Sequence, residues 1–323
     1  MARWHVLGAL GLFLPPFTAH AFTIDEVFYV CNPGGFDCPA GPGLGQSLDV
    51  LTTLEEAPRW SATLVSGAGL HDGIQVAVPS GFGEAIAPGM GTLVDQALLD
   101  AFSAWSSPAV SYDVTFGTTG FELDVFAVFD SHPVFTGNDF SGFGSFVSEF
   151  SNTRTLTNGV VLPGWAITSA NIYFNIDRLQ AAVVQLCLLD FNPLCSPAEL
   201  DLAVDGFTNL AIHEIGHTLG LNHPNEFPFA NFDTDNDPTN VIAVDPNDPL
   251  AGLTVSANID PNAVMVNNKS LTDPSLFFTS LQGDDLSGRE VLYPVAVPEP
   301  AGLALGALAL SVAEVARRRR SDR

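Results

Sequence analysis

HEIGHTLGLNH, His213 to His223, is the stretch that decides how the rest of the chain is read. Three of the seven histidines in 323 residues fall within it. His213 and His217 are four apart, so on an α-helix they project from one face, a turn above each other. Two imidazoles in that relation can reach one metal ion. Glu214 sits beside the first and can address a water next to the ion without binding the ion. Gly220 offers positive φ, which ends a helix and turns the chain. His223 then swings back as a third nitrogen, leaving a fourth position open, as a catalytic zinc requires. Phe207, Leu210, Ala211, Ile215 and Leu219 form an apolar stripe that buries the same helix in a core.

The complete pattern H-E-x-x-H-x-x-G-x-x-H resembles the zinc signature of the metzincin metalloproteases. Two further segments resemble the matrixin-like branch of that family. Asp284, Asp285, Leu286, Gly288, Leu292 and Tyr293 match its last helix, and Met265 takes the place of its Met-turn methionine. Met265 is the one methionine after the histidines; filling a gap in a core is the other reading of it. The resemblance implies an α+β fold: a metzincin-like catalytic domain with a twisted mixed sheet, an active-site helix and a C-terminal helix over about residues 59–293. It also implies one Zn²⁺ on His213, His217 and His223, Glu214 as general base and acid, and a peptide or protein substrate. The cysteine-switch motif that keeps matrixins latent is absent from the sequence.

The remaining elements follow from periodicity. Thr92–Trp105 is amphipathic with a helical period and ends at Ser106-Ser107-Pro108. Residues 110–116, 121–129 and 167–176 read as strands, and Gly283–Tyr293 as a short helix capped by Asp284 or Asp285. Gly137–Gly164 reads as loop-rich. A substrate is expected to lie extended beside strand 167–176, paired through its backbone.

Residues 1–21 carry Arg3, an apolar run and Ala19-His20-Ala21, the order of a secretory signal peptide cut before Phe22. Residues 22–296 form the body. In 297–323, Val297-Pro298-Glu299-Pro300, a short apolar run and Arg317–Arg320 resemble a PEP-CTERM sorting signal of Gram-negative bacteria. That resemblance implies an exosortase-type sorting protease as partner and transient membrane contact, since thirteen apolar residues fall short of the roughly twenty of a span. The expected location is exported: the cell envelope, outer surface or extracellular matrix.

A net charge of −25 repels phosphate backbones and excludes nucleic acid as partner. Cys31/Cys38 and Cys187/Cys195 form two close pairs, read as two disulfide loops, with other pairings and a second zinc site left open. Asp233, Asp235 and Asp237 alternate as in oxygen-ligand calcium loops, but Ca²⁺ and a solvated acidic loop fit the stretch equally. Two functions stand: a zinc endopeptidase, and a non-catalytic zinc-containing surface or matrix protein.

Overall fold

The apolar positions of LVDQALLDAFSAW recur every three or four residues, and burial follows that period. Val94, Ala97, Leu98, Ala101, Phe102 and Trp105 are buried along one helix face. Each large side chain so buried contributes about 1.5–3 kcal/mol. This helix is one layer of a mixed α+β architecture. A computed structural model describes residues 21–24, 58–61, 73–136, 140–187, 195–223, 231–233, 263–265 and 271–295. In chain order the strands and α-helices are β1 (Ala21–Ile24), β2 (Arg59–Trp60), β3 (Ile74–Val78), α1 (Phe82–Ile86), α2 (Gly91–Trp105), β4 (Tyr112–Phe116), β5 (Leu123–Val128), β6 (Gly142–Thr155), β7 (Val161–Asn175), α3 (Ile176–Cys187), α4 (Pro197–Thr218), β8 (Leu221–Asn222), β9 (Asn231–Asp233) and α5 (Gly283–Leu292).

The main sheet is built on β7. Along one edge β7 pairs in parallel with β5 over residues 170–175 and with β2 at Ala166–Ile167. Its other edge pairs antiparallel with β6. Beyond β5 come β3 and then β4, both parallel. Alternation along β7 turns Ala170, Ile172 and Phe174 inward and leaves Asn171 and Tyr173 on the other face. Phe174 meets Phe207 of α4 at 5.1 Å between ring centroids. Trp105 closes the second interface of α4, its indole N–H donating to the Ile212 carbonyl at 2.7 Å. The helix carrying the histidines is therefore held between the sheet and α2.

Three expectations need correction. Residues 137–164 are not mainly loop, because Gly142–Thr155 is a fourteen-residue strand and Val161 already begins β7. Its glycines and serines look like chain breakers, yet they mark a strand that another backbone approaches closely. Strand 167–176 is interior, with both edges taken, so no peptide can pair beside it. Among the described residues β4 and β6 are both edge strands, and β6 is the one that lies against α4. The cap of α5 is Gln282, with Asp285 three residues on completing a capping box.

α1 and α3 were not legible as helices. Asn175 closes β7 and caps α3 at once, its side-chain oxygen accepting from Arg178 N–H at 3.2 Å. A disulfide joins Cys187, at the end of α3, to Cys195, next to the Ser196 cap of α4. Cys31, Cys38, Asp235, Asp237, the leader before Ala21 and the tail 297–323 lie outside the described residues, as does the Asp233 side chain. No helix among the described residues is long and apolar enough to cross a membrane.

Candidate metal centre

α4 is started firmly and stopped firmly. Ser196 accepts from Glu199 N–H, the Glu199 carboxylate accepts from Ser196 N–H, and Pro197 occupies the first turn. At the other end Gly220 takes φ +95°, where a Cβ would also run into the Pro58 carbonyl. Two side chains fasten this end. The Trp60 indole donates to Thr218 O at 2.9 Å, the Tyr293 hydroxyl donates to Leu219 O at 2.8 Å, and Tyr293 accepts from Trp60 N–H.

The turn brings His223 back over His213 and His217. Their Nε2 atoms lie 2.8 Å (His213–His223), 3.0 Å (His217–His223) and 3.2 Å (His213–His217) apart. The His213–His217 contact is not a hydrogen bond, because the opposite nitrogen of each of those two rings is already engaged. His213 Nδ1 lies 2.7 Å from Val264 O, and His217 Nδ1 lies 2.8 Å from Leu221 O. A carbonyl only accepts, so each Nδ1 carries the proton and each Nε2 presents a lone pair. Lone pairs converging at this spacing repel one another unless a cation sits between them. A tetrahedral ion about 2.0–2.1 Å from each nitrogen would hold them about 3.3 Å apart. The donor set fits a metal ion, and the three histidines lie close enough to bind one. Burial, and then the charge of His217, push the His223 imidazole down to about 3, so it is neutral and ready to ligate.

Glu214 lies beside this cluster and is buried. Its Oε2 accepts from Gly144 N–H of β6 at 2.6 Å. Burial pushes its carboxyl up to about 8, with the Gly144 N–H pulling the other way. Such closeness depends on glycine. A Cβ at Gly142 would stand 2.6 Å from Glu214 Oε1, and one at Gly144 would run into the Glu214 carbonyl. The sequence signal was available as Gly142-Phe143-Gly144, two glycines on one face of a strand.

Met265 is buried under the helix, against Gly216. A Cβ on Gly216 would collide with Met265 Sδ and lie 2.8 Å from the Trp105 ring. The segment before it is pinned by Asp285, whose carboxylate accepts from Val264 N–H at 2.9 Å, Met265 N–H at 3.1 Å and Gln282 N–H at 2.9 Å. Asp285 therefore fixes the Val264 carbonyl that orients His213. Sequence reasoning gave Asp285 a packing or capping role and missed this link. No family model matches the chain, and no curated protein does.

Proposed function

We propose that the chain is an exported zinc endopeptidase of metzincin type, hydrolysing peptide bonds in a protein or peptide substrate. One observation carries the reading: three imidazole nitrogens converge beside a buried acidic side chain that is not one of the three. A structural zinc site takes four protein ligands, whereas three leave a position for chemistry. The donor set suits zinc, and the Cys187–Cys195 disulfide suits an oxidising compartment.

His213, His217 and His223 would hold the ion. When bound, zinc supplies Lewis acidity, polarising a carbonyl and making a water a stronger nucleophile. A cation held beside Glu214 would offset the burial that raises its carboxyl and leave it ionised, so that Glu214 takes the proton of the attacking water and passes it to the leaving amine. Gly144 N–H holds one carboxylate oxygen while the other turns to this work. The peptide lies along the free edge of β6. Backbone groups alternate across an antiparallel strand, and the Gly144 N–H bond shows that its parity faces α4 rather than β7. Carbonyls at Gly142 and Gly144 then serve the peptide, as in strand addition.

The test is Glu214→Ala, measured with a peptide library and a zinc assay. Zinc should stay at one per chain while turnover falls roughly 10²–10⁴-fold, the contribution of general acid–base catalysis. Zinc bound by the unaltered protein, with no peptide cleaved, would favour the non-catalytic surface protein instead.

A further inference from the structure

His213 and His217 are carried by one rigid helix, but His223 stands beyond Gly220, on chain that no helix holds. What holds it is a small second sheet with β1 at its centre. Ile24 pairs with Leu221 and Thr23 with Asn222, antiparallel, directly before the ligand. On its other edge β1 pairs Ala21, Phe22 and Thr23 with Asp233, Phe232 and Asn231. β1 thus clasps the chain on both sides of the segment that follows His223. It also packs against α5, the helix whose Asp285 fixes the orienting carbonyl of His213.

Leu221 does two things at once. Its carbonyl orients His217 through Nδ1, and it leads through Asn222 to His223. Any slip of Leu221–Asn222 therefore moves one ligand and turns another. We infer that the backbone of Thr23–Ile24, which stays in the chain after a cut before Phe22, is a positioning element of the metal centre: by pairing with Leu221–Asn222 it places the His223 ring nitrogen and keeps the His217 ring in its ligating tautomer. The inference rests on the three histidines holding zinc. Partners that orient ligands without touching the ion typically govern affinity by about 10–100-fold, and a register fixed before binding spares the ion the work of ordering this turn.

The experiment compares zinc dissociation constants of the full chain by competition with a chromophoric chelator. N–H groups of a strand point alternately to its two neighbours, so proline is placed at Thr23 and, separately, at Ile24. Thr23→Ala and Ile24→Ala keep the N–H and serve as controls. At least one proline variant should bind zinc about 10–100-fold more weakly, while both alanine variants stay near the unaltered chain. Equal affinity in both proline variants overturns the inference and leaves the zinc reading intact; an unaltered chain that binds no zinc overturns both. A measurement on the unaltered protein covers the case of misfolded variants. Amide exchange at Thr23–Ile24 and Leu221–Asn222 should slow together when zinc is added, and unprotected exchange at Thr23–Ile24 in the loaded protein overturns the inference.

Discussion

Gly216 occupies the turn of α4 between His213 and His217, and its missing side chain lets Met265 and Trp105 close beneath the histidine cluster. Gly216→Ala forces a methyl group into that packing, and overfilling of this kind costs about 1–3 kcal/mol. Met265→Ala removes the obstructing sulfur at its own cost of about 2–5 kcal/mol. Because the two groups touch, the double variant should be more stable than the sum of single losses, with coupling of about 0.5–3 kcal/mol in urea denaturation. Strict additivity would show that Met265 does not lie against Gly216. The histidines were legible because their relation lies within one helix and one turn. Asp285 was not: the amides it binds belong to Val264 and Met265, twenty or so positions away along the chain.

Among the elements, α2, α4 and β7 carry clean periods and could be read directly, whereas β6 could not. An edge strand with a helix pressed on it has little apolar alternation, and close approach favours Gly142 and Gly144 where a reader expects a break. α3 was hidden for another reason: β7 runs into it without a turn, and Asn175 serves both. The element with the most separable contribution is the Cys187–Cys195 link between α3 and α4, spanning eight positions. Closing so short a loop is worth about 2–3 kcal/mol by chain entropy. Paired replacement by serine should lower the unfolding free energy by that amount, and a urea midpoint unmoved by the replacement would count against the disulfide.

In the alkaline range the whole molecule carries a pH dependence set by buried phenols. Burial pushes the Tyr112 and Tyr293 hydroxyls above the usual tyrosine range, and the nearby Tyr293 raises Tyr112 further. The folded protein thus keeps both protons at pH values where the unfolded chain, titrating near about 10, has begun to lose them. Stability is unaffected by these groups below that pH and falls as pH rises past it, by about 1.4 kcal/mol per pH unit for each phenol. Tyr112 Oη makes no hydrogen bond among the described residues, so Tyr112→Phe should flatten the alkaline slope by about half with little loss at neutral pH. Urea midpoints taken from about pH 9 to 11.5 decide it; a slope unchanged in the variant would place the alkaline sensitivity elsewhere.

The sequence by itself determined the three converging histidines, the acidic side chain beside them, the methionine beneath and the helix that carries two of them. Each of these follows from spacing along one element, where 3.6 residues per turn fixes which side chains share a face. Only the tertiary structure decided that the sheet edge against α4 belongs to β6, not β7, that Asp285 aims His213 through Val264, and that Thr23–Ile24 pairs directly before His223. Those relations join positions far apart in the chain, and long-range pairing is chosen by packing and by the need to satisfy buried backbone groups, neither of which leaves a local period to read.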